Sequence, residues 1–159
     1  MSLLTSTKSL ARDRIEKIDL KKFDPLDDAL ALMYFGWRGM TRAADDYLAS
    51  VGLSRVHHRI LYAVLRGDNI TMSDLLAILQ ISKQALHRPM KQLLDEGYVA
   101  VKRDPARHRF KLLELTPAGR AVERIASGHE RKVMARAFKK AGAGSQAAWS
   151  AVMAEAAQN

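Results

Sequence analysis

Apolar residues recur at helical spacing over most of the chain, and in one stretch they leave a whole face free for hydrogen-bond donors. Between Ile81 and Leu94, the residues Leu86, Met90, Leu93 and Leu94 fall at i, i+4, i+7 and i+8, which predicts a helix with one buried stripe. The opposite stripe is Lys83, Gln84, His87, Arg88 and Lys91. Ser82 supplies an N-cap acceptor, and Ile81 and Leu86 stand at the two positions of a hydrophobic staple. A sharply started helix with an outward cationic face can reach base edges and phosphates in a major groove. The pattern therefore reads as a DNA recognition helix, although on its own it also fits an ordinary solvated face.

The neighbouring patterns favour the first reading. Asp24-Pro25 starts a long helix, with Asp27 and Asp28 in its first turn. In it Leu26, Leu30, Met33, Trp37, Met40, Ala44, Tyr47 and Val51 alternate steps of four and three, a heptad seam. From Pro25 to Ser50 such a rod is about 39 Å long and calls for a long partner. Gly36 and Gly39 lower its helix propensity, and Gly52 ends it. Ser54 caps a second helix carrying Val56, Ile60, Leu61, Val64 and Leu65, closed by Gly67-Asp68-Asn69. Thr71 and Asp74 have capping-box spacing before a short helix, Met72 to Leu79, that buries Leu75, Leu76 and Leu79. Two short helices joined by the tight turn at Gln80-Ile81 form a helix-turn-helix.

Beyond Glu96-Gly97, residues Tyr98 to Arg103 and Arg109 to Leu115 read as two strands, with a bulge expected where Leu112 and Leu113 are both apolar. Lys102, Arg103, Arg107, Arg109 and Lys111 surround the hairpin tip against Asp104 alone. A basic hairpin after a helix-turn-helix has the form of a wing, suited to phosphates or a minor groove. Thr116-Pro117 opens a further helix to about Lys140, expected to bury Val122, Ile125, Val133, Ala137 and Phe138. Gly142-Ala143-Gly144 breaks it, and Ser145 is read as the cap of a last helix with Trp149, Val152, Met153 and Ala156 inward. These helices carry more apolar length than a winged core covers, and homodimerisation is the simplest way to bury it.

Composition narrows the class. The 159 residues suit one domain with appended helices. No apolar run approaches the roughly 18 residues of a spanning helix, and Met1 to Leu10 does not resemble a secretory signal, so a cytoplasmic protein is expected. Residues 1–24 are read as a partly disordered extension in which Leu10 to Leu20 form at most a short helix. The absence of cysteine excludes disulfides, thiolate metal sites and thiol redox chemistry. The net charge of +9 favours a polyanionic partner. Leu53 to Gly119 holds eleven of the cations against six carboxylates, together with four of the five histidines.

The ordered set of segments resembles the MarR family of winged-helix transcription regulators: Gly52-Leu53-Ser54, Ser82-Lys83-Gln84-Ala85, Leu93-Leu94-Asp95-Glu96-Gly97-Tyr98-Val99, Asp104-Pro105, and Leu113-Glu114-Leu115-Thr116-Pro117-Ala118-Gly119-Arg120. The resemblance covers nearly everything after Asp24. It implies a homodimer with interleaved terminal helices that binds a pseudo-palindromic operator and is often released by a small anionic or aromatic ligand. Two features depart from the family pattern. The wing reads Arg107-His108-Arg109 where the family usually has Asp-Arg-Arg, so Arg109 matches the groove-reaching cation without its usual acid. Pro89 falls inside the recognition helix, where it removes a backbone bond to Ala85; it is either a bend that re-aims Ser82 to Arg88 or a tolerated kink.

The expected fold is mainly α: a winged helix-turn-helix core over 53–116 with a small β wing, plus dimerisation helices over 25–52 and 117–159. Ser82, Gln84, His87 and Arg88 are assigned to base edges, and Lys83, Lys91, Arg103, Arg107, His108 and Arg109 mostly to phosphates or the minor groove. An effector crevice is assigned to Tyr34, Trp37, Arg38, His57 and His58. No metal pair follows from His57-His58, and no cofactor or catalytic constellation is proposed. The expected function is a homodimeric, sequence-specific repressor of transcription. The alternatives are a winged-helix module docking an acidic protein and an architectural DNA binder without sequence preference.

Overall fold

The computed structural model describes residues 24, 26–67, 69–106 and 110–158. In order these residues form α1 (Asp27–Ser50), α2 (Arg55–Arg66), α3 (Met72–Leu79), α4 (Lys83–Asp95), β1 (Val99–Arg103), β2 (Lys111–Leu115), α5 (Pro117–Ala141) and α6 (Ser145–Ala156). The short helices begin where side-chain acceptors satisfy their first free N–H groups. Thr71 Oγ1 accepts from the Asp74 N–H at 3.2 Å while Asp74 Oδ2 accepts from the Thr71 N–H at 2.9 Å. Ser82 Oγ accepts from the Ala85 N–H at 3.1 Å. Between these caps Gln80 takes a left-handed conformation, φ 50°, which turns the chain from α3 into α4 within three residues.

The described residues form two compact units, one reaching Arg42 and the other starting at Ala43. In the first, Leu30 on the predicted seam is 67% exposed and Trp37 is 43% exposed. Further along α1 the seam residue Ala44 is fully covered, while Tyr47 and Val51 are half-buried and Leu48, off the predicted seam, is also fully covered.

The second unit holds the hydrophobic core, to which α1, α2, α3, α4, both strands and α5 contribute Leu48, Ile60, Leu75, Leu86, Leu93, Val99, Leu113 and Val122. Here α2 is central, packing against α3, α4, α5 and β2. Leu86, Met90 and Leu93 are buried as expected, whereas Leu76, Leu79 and Leu94 are only partly covered. Pro89 sits within α4, which continues through it to Asp95.

The wing ladder is antiparallel and unbroken from Val99 opposite Leu115 to Arg103 opposite Lys111. The bulge expected at Leu112–Leu113 is therefore absent. Both residues are apolar because both faces of the strand are covered there. Leu113 enters the main core, Leu112 is buried outside it, and the far edge of β2 meets Ile70-Thr71, with the Leu113 N–H donating to Ile70 O at 2.8 Å.

Thr116 then fixes the start of α5 to the base of the wing. Its Oγ1 accepts from the Gly119 N–H at 3.1 Å and donates to Gly97 O at 2.6 Å. Gly119 is required there, since a Cβ would lie 2.0 Å from Tyr98 O.

Three expectations about the C-terminal helices are corrected. On α5 Ile125 is 39% exposed and Ala137 is also exposed; the face turned inward is Gly119, Val122, Glu123, Ala126 and Ser127. The N-cap of α6 is Gly144, and Ser145 Oγ instead donates back to Gly142 O at 2.8 Å. Trp149, Val152 and Ala156 are exposed within one chain, with Trp149 making an edge contact to Phe138 at 5.8 Å between ring centres.

Candidate nucleic-acid interface

The apolar stripe of α4 fixes the direction of its polar side. With Leu86, Met90 and Leu93 held in the core, Ser82, Lys83, Gln84, His87, Arg88 and Lys91 are all exposed. Ser82 serves as cap through its acceptor lone pair, which leaves its O–H for an outside oxygen. The first two turns of α4 thus bring together one hydroxyl, one amide, one imidazole and two cations. This is the set of donors that reads guanine and adenine edges and grips phosphate. Further along, Lys91 Nζ is paired with Asp95 one turn on, so this cation is partly neutralised.

On the wing, Arg103 stands directly opposite Lys111 and both side chains are exposed. Like charges facing across a ladder are unfavourable unless an anion joins them, so this pair is suited to a phosphate. Lys102 differs, since its Nζ lies 2.7 Å from Glu114 Oε2. The tip turn is organised by Asp104, whose Oδ1 accepts from the Ala106 N–H at 2.9 Å and whose own N–H donates to Phe110 O at 3.0 Å. Arg107, His108 and Arg109 lie outside the described residues. Lys111, although noticed as part of the basic tip, was not placed among the site residues from sequence; only the strand register reveals its pairing with Arg103.

A family model described as MarR family matches residues 51–109. The chain is 31% identical over 119 residues to the HTH-type transcriptional regulator PetP of Rhodobacter capsulatus, spanning 75% of this chain and 72% of that protein. The chain belongs to the MarR family. It is also 36% identical over 84 residues to YdgJ of Bacillus subtilis, an uncharacterised HTH-type transcriptional regulator, covering 53% of this chain and 50% of that one. A mutant MarR from E. coli, solved in complex with operator DNA, has the same fold, with TM-score 0.61 and 19% identity over 84% of this chain and 99% of that one. This MarR-family protein is accordingly a DNA-binding transcription regulator, a class that is not enzymatic. Among the described residues no helix is long and apolar enough to cross a membrane.

The five effector candidates of this MarR-family chain fall into two groups. Arg38 Nη1 donates to Tyr34 Oη at 3.1 Å and its guanidinium lies 5.7 Å from the centre of that ring, with Trp37 exposed nearby in sequence. His57 and His58 are buried, His57 hydrogen-bonded through Nδ1 and His58 through both ring nitrogens. His57 Nδ1 accepts from the Ser54 N–H at 3.1 Å and lies 2.9 Å from Ser54 Oγ, so this ring caps α2, with Gln92 of α4 beside it. Burial holds its pKa below the ordinary 6.5, with Gln92 and Glu96 opposing the shift.

His58 belongs to a polar relay that the sequence reading missed. Arg55 Nη1 can only donate, so the His58 Nδ1 at 3.2 Å accepts, and the proton sits on Nε2. That N–H faces Ser127 Oγ at 3.1 Å, Ser127 donates to Glu123 Oε1 at 2.7 Å, and Arg66 Nη1 donates to the same carboxylate at 2.7 Å. Arg55 also pairs with Asp45 at 2.6 Å and with Glu130. Burial lowers the His58 pKa against the pull of Glu130. Burial alone would raise that of Glu123, but hydrogen bonds from Ser127 and Arg66 lower it overall. The signal was present as Glu123, Ser127 and Glu130 at helical spacing on α5. It was hidden because these residues share a face with Ala126 and Val122, where only apolar residues were expected.

Proposed function

We propose that the protein is a homodimeric, sequence-specific repressor of transcription that binds a pseudo-palindromic operator in the cytoplasm. The observation that carries this reading is the uncovered polar side of α4, whose donors over Ser82, Lys83, Gln84, His87 and Arg88 are exposed, with no described helix over them. Lys91, Arg103, Arg107, His108 and Arg109 are assigned to phosphates or the minor groove. The operator complex of the E. coli relative supports the same use of the fold. Dimerisation through α1, α5 and α6 is supported by the exposed row Leu26, Leu30, Met33 and Trp37 and by exposed Trp149 and Val152. Two recognition helices then occupy major grooves about 10 base pairs apart.

Release by a small aromatic or anionic effector is assigned to Tyr34, Trp37 and Arg38, which offer aromatic walls and a guanidinium. An effector that engaged His58 has to break the relay to do so.

Selection of bound duplexes from a random-sequence library tests the reading. The expected result is one inverted repeat, bound with an affinity that falls by about 10³–10⁵ between 50 and 200 mM salt if six to ten phosphates are neutralised. Retention of all duplexes alike indicates an architectural binder, and no retention at low salt indicates an acidic protein partner.

A further inference from the structure

The joint between α2 and α5 contains more ionisable chemistry than holding two helices together requires. From α2 come Arg55 and His58; from α5, Glu123, Ser127 and Glu130; from the last turns of α1, Asp45. The Tyr62 ring lies edge-on to His58, 6.4 Å away. These are the charged and titratable groups that face the imidazole. The contacts of the ring depend on where its protons sit. With the ring neutral, Nδ1 accepts from Arg55, and the same guanidinium holds Glu130. A proton on Nδ1 turns that acceptor into a donor confronting a cation, while Glu130 Oε1 is already only 3.8 Å away.

We propose that His58 is a proton-operated latch: when its ring is protonated Glu130 leaves Arg55 for the imidazolium, the joint of α1, α2 and α5 rearranges, and operator affinity falls. The mechanical link runs through two contacts. The α2 helix carries α3, α4 and β2 against its apolar side. The start of α5 is tied to the wing base through Thr116, Gly97 and Tyr98. A change between α2 and α5 therefore alters how the recognition helix sits relative to the wing.

The proposal rests on the regulator reading, and its test separates the two. Affinity for a duplex chosen from a random library is measured by wild type, His58→Gln and Glu130→Gln from about pH 7.5 to about pH 5.5, together with nitrogen NMR of the His58 ring. A one-unit difference in His58 pKa between free and bound forms sets a limiting rise in Kd of about tenfold per protomer, reached only below both pKa values, so a severalfold rise is expected by about pH 5.5. The amide introduced by His58→Gln takes up no proton, and Glu130→Gln removes the carboxylate that receives the imidazolium, so both variants are expected to lose this weakening. Should His58→Gln not fold, Glu130→Gln, altered at a less buried position, carries the comparison. Parallel profiles for wild type and variants, tighter wild-type binding in acid relative to the variants, or a ring that stays neutral throughout overturns the latch. Absence of binding to any duplex at every pH overturns the regulator reading, and the latch with it.

Discussion

Helices α2 and α4 are nearly the same object in sequence and opposite objects in space. One has 12 residues and the other 13, each follows a serine, each carries three Lys or Arg, and each has an apolar stripe against the common core. On α2 part of the polar side is packed by α5 and the end of α1, so Arg55 and His58 meet Asp45, Ser127 and Glu130 inside the protein, and His57 accepts from the Ser54 N–H. On α4 none of the described residues covers Gln84, His87 and Arg88, which remain exposed. Amphipathic spacing identifies which side of a helix enters a core; it does not say whether a neighbour covers the other side. Function in this protein follows from that second property.

The largest expected effects test what the two helices share. Leu61→Ala on α2 and Leu93→Ala on α4 remove fully buried side chains, and each is expected to lower the unfolding free energy by about 2–5 kcal/mol in denaturant titration. A loss confined to one of them means that the apolar sides are not equivalent.

The polar sides are expected to diverge. Arg88→Ala leaves unfolding nearly unchanged, within about 0.5 kcal/mol, because the side chain is exposed. The same change weakens binding to the selected duplex by about 1–3 kcal/mol, roughly 5- to 150-fold, if the guanidinium reads a guanine edge. Ser127→Ala, on the roof over α2, does the reverse. It strands the His58 N–H and costs about 1–3 kcal/mol of stability, measured by the same titration.

Acid separates the helices as well. His57 and His58 are held below their ordinary 6.5 by burial. Below that pH the unfolded chain takes up protons that the folded chain refuses, so stability falls as pH drops through about 6.5 and levels off below the folded-state values. Thermal unfolding of wild type is expected to show this slope, and His58→Gln to flatten part of it.

The contrast also explains what sequence reading reached. Capping residues, staples and the apolar stripes located α2, α3 and α4, because those signals are local: Thr71 with Asp74 and Ser82 with the Ala85 N–H act within one turn. The wing strands were found for the same reason. The straight ladder at Leu112–Leu113 was missed because coverage by Ile70-Thr71 comes from the connection between α2 and α3, far upstream in the chain, and the relay was missed because His58 meets Ser127 across 69 positions. Neither pairing leaves a periodic trace. The outward face of α4 was readable only as chemistry, and its exposure needed the fold.

The smallest effect concerns a cation on α4 that behaves partly like those on α2. Lys91 is paired with Asp95 on the same exposed side, so a phosphate has to compete with an internal carboxylate for it. An exposed pair one turn apart contributes little to folding, and Asp95→Asn is expected to leave the melting temperature almost unchanged. The same variant frees Lys91, which adds about one neutralised phosphate per protomer and steepens the log-log salt dependence of DNA affinity by about one unit per protomer. An unchanged slope with unchanged stability places Lys91 off the DNA, limiting the reading surface of α4 to its first two turns, where Ser82, Lys83, Gln84, His87 and Arg88 lie.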